Sequence, residues 1–214
     1  MNDQLSKRIN SLPVSETLAM AAKARELKEQ GKNIISLSLG EPDFNTPDFI
    51  KEAAIQAIHD NYSSYSPVDG YLDLKQAICR KFKRDNDLNY KPSQVVVSTG
   101  AKQSIANIAM VLLNPGDEVL LPAPYWVSYS AIATLGEASY KEIPSTIETD
   151  FKITPKQLEG AITPKTKLIF FNSPNNPSGT VYTEAEYRAL AAVIEKHPNI
   201  YVISDEIYEH INYG

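Results

Sequence analysis

Cysteine is nearly absent: Cys79 is the only one in 214 residues. One thiol cannot close an internal disulfide, so burial and hydrogen bonding must hold the fold, which fits a reducing cytosol. Cys79 follows Ile78 in a helical pattern and reads as a half-buried structural thiol, not a nucleophile. Histidine is also scarce, and His59, His197 and His210 are too scattered to show metal-ligand spacing. No apolar run reaches the roughly 18 residues of a membrane span. The segment 1–16 carries no apolar stretch of the secretory kind. The net charge of -5 is mild and gives no basic footprint for nucleic acid. These absences point to a cytoplasmic protein with neither membrane nor nucleic acid as partner. With 43% hydrophobic and 22% charged residues, the chain can bury a sizeable core.

The first helix spans about Glu16 to Gln30, with Ser15 as N-cap and Gly31 as stop. A short apolar stretch, Ile34 to Leu39, leads into Gly40-Glu41-Pro42-Asp43-Phe44. Thr46-Pro47 opens a second helix with Ile50, Ala54, Ala57 and Ile58 on one face. Asn61 to Gly70 is a loop, and a third helix carries Leu74, Ala77, Ile78 and Phe82. From Val95 onward strands and helices alternate. Val95 to Val97, Glu118 to Leu121, Tyr140 to Ile143, Leu168 to Phe171 and Ile200 to Ser204 read as strands. Between them a helix opens at Gly100 with Ile105, Ile108, Ala109 and Leu112 inward, and another covers Tyr129 to Leu135. Thr154-Pro155-Lys156-Gln157 and Thr183-Glu184-Ala185-Glu186 are capping boxes starting two more. Continuous apolar strands alternating with helices define an α/β protein, its mostly parallel sheet flanked by helices on both faces. In such sheets ligands bind beyond the carboxyl ends of the strands.

Each strand end carries chemistry. Ser98-Thr99-Gly100-Ala101-Lys102 places small residues and a cation at a helix start, a cradle for phosphate. Pro124-Tyr125-Trp126 holds the only tryptophan, whose indole can stack on a flat ring. Asn172-Ser173-Pro174-Asn175-Asn176-Pro177-Ser178-Gly179 is a stiff loop with amide donors suited to a phenolate oxygen. Asp205-Glu206-Ile207-Tyr208 ends the last strand. A carboxylate beside a pyridine nitrogen favours the protonated ring, and Tyr208 can reach the ring oxygen. Taken singly, each motif has a plainer explanation: turn chemistry, a core aromatic, an Asn/Pro turn. Adjacent Asp205 and Glu206 point apart on an extended segment and do not form a hydrolase pair. Together the four describe one cofactor, pyridoxal 5'-phosphate, which stores electrons during chemistry on amino acids.

In order and spacing these motifs resemble the class I, fold-type I pyridoxal-phosphate-dependent aminotransferases, over nearly the whole chain. The Pro-Tyr-Trp-Val-Ser-Tyr run is most similar to the bacterial aspartate aminotransferase branch. The resemblance implies transamination between an amino acid, with aspartate expected, and a 2-oxo acid. It implies that Gly100, Ala101 and Lys102 surround the phosphate and Trp126 stacks on the ring. Asn176 and Tyr208 would serve the ring oxygen, and Asp205 the ring nitrogen. Gly40 would touch the substrate carboxylate through its backbone. Tyr65, in the Tyr65-Ser66-Pro67 segment, would reach the phosphate of a neighbouring subunit in a homodimer. Residues 1–46 would form an arm and the start of a small domain, and residues 47–214 the cofactor-binding large domain.

The family's cofactor-bonding lysine, in a Ser-x-x-Lys-type segment, and its carboxylate-binding arginine belong to later segments. The chain therefore reads as an N-terminal half that lacks a C-terminal half and is inactive alone, with a gap and an exposed edge in its sheet. Lys102, in the phosphate cradle, is about a cofactor's length from the reacting carbon and cannot replace that lysine. Two other readings are a non-catalytic assembly fragment that keeps the dimer surface, and a lyase or decarboxylase of the same fold.

Overall fold

The computed structural model describes residues 4–12, 16–37, 40–42 and 44–211. Ser15, Ser38, Leu39 and Asp43, which figured in the expectations above, lie outside the described residues. The chain divides into two compact units, Pro13–Val97 on one side and Met1–Leu12 with Ser98–Gly214 on the other.

The larger unit is built on a four-stranded sheet: β1 (Glu118–Pro122), β2 (Ser139–Ile143), β3 (Thr166–Asn172) and β4 (Tyr201–Asp205). Every pairing is parallel and the order is β2-β1-β3-β4. The two central strands are the continuous apolar ones, and Val119, Leu120, Leu121, Leu168 and Ile169 are all fully buried. Successive side chains on a strand point to opposite faces, so these residues divide between two cores.

Four helices cover the two faces: α5 (Ala101–Leu112), α6 (Ser128–Leu135), α7 (Pro155–Ala161) and α8 (Glu184–Ile194). One core joins Val119, Leu121, Leu168 and Phe170 to Ile105 and Ala109 of α5 and Tyr129 and Ile132 of α6. The other joins Leu120, Ile169 and Phe171 to Leu158 of α7 and Leu190 and Val193 of α8. Both expected capping boxes form. Thr154 Oγ1 accepts from Gln157 N and Thr183 Oγ1 from Glu186 N, each at 3.3 Å, with the reciprocal side-chain bonds in place. The expected inward face of α5 needs one correction. Ile108 is exposed, and Leu113, four residues beyond Ala109, is buried instead. Ile105, Ala109 and Leu113 fall on one i±4 ridge, and that ridge meets the sheet.

The smaller unit holds α2 (Glu16–Glu29), α3 (Asp48–His59) and α4 (Leu72–Asn86). A four-residue helix, α1 (Lys7–Asn10), belongs to the larger unit. α3 carries Ile50, Ala54, Ala57 and Ile58, yet no residue of that helix is buried, and Ile58 is 76% exposed. The loop 61–70 is pinned at its far end. Asp69 pairs with the buried Lys75 of α4, which holds the Asp69 carboxyl below its usual range. Gly70, at φ +96°, lies against Val97 so closely that a Cβ there would come within 2.6 Å of that side chain.

The strand expected at Val95 to Val97 does not form among the described residues. A strand exists only through its ladder, and the Val97 N–H is taken by the Asp69 carbonyl at 3.1 Å instead. Val96 is consequently 67% exposed.

Candidate active site

The strand order fixes where a ligand can enter. From β1 the chain turns to β2 on one side, and it then returns to β3 on the other. The loops leaving the carboxyl ends of β1 and β3 therefore diverge, which opens a crevice between them. Trp126 lies on the first loop and Asn176 on the second, and Asp205 is the last residue of neighbouring β4. The Asn175 side-chain amide reaches across to the Pro124 carbonyl at 3.4 Å.

Gly100 caps α5 at φ 89°, a backbone conformation that side-chain-bearing residues rarely adopt. The N–H groups of Gln103 and Ser104 both go to the Gly100 carbonyl, so the amides of Ala101 and Lys102 are not used within the helix. The Lys102 ammonium lies 4.8 Å from the Trp126 ring centroid.

From Trp126 the site continues as a chain of direct contacts. The indole meets the Tyr129 ring edge-on at 5.6 Å, and Tyr129 stacks on Phe170 at 4.6 Å. The Tyr129 hydroxyl donates to Asp205 Oδ2 at 2.6 Å inside the core. Burial, and then that bond to Asp205, push the Tyr129 hydroxyl far above its usual range, so it remains a donor. The Asn172 amide donates to the Asp205 carbonyl at 2.8 Å, and its oxygen accepts the Asn176 N–H at 2.7 Å. Asn176 Nδ2 in turn donates to the Tyr208 hydroxyl oxygen at 3.1 Å.

Seven of the nine residues singled out from sequence thus fall into one continuous array: Gly100, Ala101, Lys102, Trp126, Asn176, Asp205 and Tyr208. Gly40 and Tyr65 lie in the smaller unit, both exposed there. Glu206 turns away from Asp205 to accept from Ser204 Oγ at 2.7 Å, as extended geometry requires. Two residues in the array had not been singled out from sequence, Tyr129 and, within its Asn/Pro loop, Asn172. Asn172 offered a signal, because an amide ends an otherwise apolar strand. Tyr129 offered only its spacing of three from Trp126 at the start of a helix. Among the described residues no group of His, Cys, Asp and Glu could hold a metal.

The donor set suits a flat, anionic heteroaromatic. It pairs a cation and helix-start amides at one end with a buried carboxylate beyond an indole, and sets an amide beside a phenol at the flank. A parallel α/β sheet with polar residues gathered at its switch point is a ligand-binding architecture. The chain is a member of the family described as aminotransferase class I and II, whose model matches residues 32–214. It is 51% identical to the aspartate/prephenate aminotransferase of Nitrosomonas europaea, over 97% of this chain and 52% of that protein. It is 47% identical to the aspartate aminotransferase of Bacillus subtilis, over 99% of this chain and 53% of that protein. The crystal structure of the Rhizobium meliloti aspartate aminotransferase superposes with a TM-score of 0.95 at 45% identity, covering 99% of this chain and 53% of that one. The Thermus thermophilus aspartate aminotransferase with maleate gives 0.94 at 41% identity, covering 98% and 55%. The chain thus spans about half the length of the relatives it matches.

Proposed function

We propose that this chain is the N-terminal half of a pyridoxal-phosphate-dependent aminotransferase that moves an amino group between an amino acid, aspartate in the first instance, and a 2-oxo acid. The carrying observation is the unbroken array from Lys102 through Trp126, Tyr129 and Asp205 to Asn176 and Tyr208. In this reading Gly100, Ala101 and Lys102 hold the phosphate and Trp126 covers the ring face. Asn176 and Tyr208 donate to the ring oxygen, and Asp205 keeps the ring nitrogen protonated. Pyridoxal phosphate supplies the electron sink that lets a carbon beside the amino group lose its proton. The Asn176 amide already occupies a Tyr208 lone pair, which leaves the Tyr208 O–H free to donate.

The aspartate preference is supported by the names of the relatives and by the maleate in the Thermus structure, a dicarboxylate like aspartate. Gly40 is assigned to the substrate carboxylate. Tyr65 is assigned to the phosphate of a neighbouring subunit, and its complete exposure within its own unit supports a homodimer. Residues 1–46 are assigned to an arm and small-domain segment, and 47–214 to the large domain. The compact-unit boundary after Val97 falls inside the latter. A cytoplasmic location belongs to the same reading. The lysine that bonds the cofactor is assigned to the half of the relatives that this chain does not span.

Absence of a positioned proton-transfer group lowers rates by about 10²–10⁴-fold. The test combines the chain with pyridoxal phosphate, aspartate and 2-oxoglutarate, followed by borohydride and mass analysis. The expected result is turnover no faster than free cofactor and no specific adduct, with activity appearing when the C-terminal half is supplied. Enzyme-level turnover with a reduced adduct on Lys102, or on any other lysine of the chain, would contradict the assignment.

A further inference from the structure

Asp205 is 9% exposed, and both of its carboxylate oxygens are engaged by the protein itself. Oδ2 accepts from the Tyr129 hydroxyl at 2.6 Å, and Oδ1 accepts from the Ile207 N–H at 3.2 Å. The backbone carbonyl of the same residue is held by Asn172. The Oδ2 contact comes from 76 residues away and the carbonyl contact from 33, so of the two carboxylate oxygens only Oδ2 is held from a distant part of the chain. Tyr129 is itself closely packed: it is 2% exposed, parallel to Phe170 within 13° and perpendicular to Trp126 at 89°. From α6 its ring packs against Phe170 of β3, the strand that neighbours β4.

We propose that Tyr129 is the positioning residue of this site, fixing Asp205 in one orientation toward a cofactor ring nitrogen and coupling that orientation to the indole of Trp126. The proposal rests on the cofactor reading given above and extends it to a residue that reading gave no part in holding the cofactor. A carboxylate oxygen has about two acceptor sites, so the Tyr129 and Ile207 bonds leave one on each oxygen for a ring N–H. With Oδ2 bonded, the carboxylate cannot rotate to another rotamer without leaving the buried hydroxyl unsatisfied.

The decisive variant is Tyr129→Phe, which keeps the stack on Phe170 and deletes only the hydroxyl. It is compared with the wild-type chain labelled with carbon-13 at its aspartate carboxylates, the Asp205 signal being assigned through Asp205→Asn. Pyridoxal phosphate carrying nitrogen-15 in its ring is the cofactor probe. The variant is expected to keep the wild-type circular dichroism and to shift the Asp205 carboxylate signal. It should bind the probe about tenfold more weakly, as loss of one bond to a charged group implies. The ring-nitrogen signal should move toward the unprotonated position. A folded variant with the Asp205 signal unmoved overturns the proposal, whatever the cofactor does. A wild-type chain that binds no probe, while the Asp205 signal still moves on substitution, supports the hold of Tyr129 on Asp205 and sinks only the cofactor reading. If Tyr129→Phe does not fold, the wild type decides. A slowly exchanging Tyr129 hydroxyl proton is expected, lost in Asp205→Ala, and a wild-type spectrum without it overturns the proposal.

Discussion

Asn172 holds Asp205 from the side: its amide donates to the Asp205 carbonyl at 2.8 Å, while its oxygen accepts the Asn176 N–H at 2.7 Å. One side chain at the end of β3 thereby ties the end of β4 to the Asn/Pro loop. It is 6% exposed, so water cannot replace those bonds. Asn172→Ala leaves two inner polar groups without partners, at about 1–3 kcal/mol each. A loss of about 2–4 kcal/mol in urea unfolding is expected. A loss under about 0.5 kcal/mol, the range of an ordinary surface change, would show that the loop does not depend on it.

The sheet should be unequal in its tolerance of truncation. Leu168 is fully buried on β3, whereas Val202 on the edge strand β4 is 46% exposed. Leu168→Ala removes packing from the centre of a core and should destabilise by about 2–5 kcal/mol. Val202→Ala should cost less than about 1 kcal/mol. Equal effects in matched denaturant curves would mean that β4 is covered on the side that reads as open.

Alkaline pH should weaken the fold through its buried and half-buried tyrosines. Burial, helped by the hydrogen bond to Glu142, pushes the Tyr125 hydroxyl from 10.0 up to about 12. Tyr129, Tyr182 and Tyr187 move in the same direction, chiefly through burial. Below pH 10 the hydroxyl keeps its proton in both folded and unfolded chains, and its contribution is fully present. Between pH 10 and about 12 the unfolded chain alone gives up the Tyr125 proton, so stability falls as pH rises. Tyr125→Phe should make that decline shallower when unfolding free energy is followed across the window. An unchanged slope would remove Tyr125 from the account.

Much of this architecture is legible in the sequence, because continuous apolar runs and capping boxes are local signals. The strands at Glu118 and Leu168 announce their burial, and Thr154 and Thr183 announce their helices. Val95 to Val97 misleads for a physical reason: β-propensity describes a residue's fit to a ladder and cannot supply the neighbouring strand. Ile108 misleads because two neighbouring ridges of α5 are both apolar, and only packing selects between them. The residues of the array are recognisable in the sequence where a motif follows a strand, as at Asn176 after β3 and Asp205 at the end of β4. Tyr129 is not, since its contact with Asp205 spans 76 residues and leaves no local trace.

Occupancy of the array from Lys102 to Tyr208 by pyridoxal phosphate can be read from one residue. Trp126 is the only tryptophan, so the intrinsic indole fluorescence of the chain reports on that position alone. Titration with pyridoxal phosphate should quench it saturably, while pyridoxal without the phosphate should quench it only weakly. Lys102→Ala should shift the phosphate-dependent curve to higher concentration by about tenfold, the effect of removing one charged contact. Quenching that rises linearly without saturation, and is the same for both compounds and for Lys102→Ala, would contradict the account.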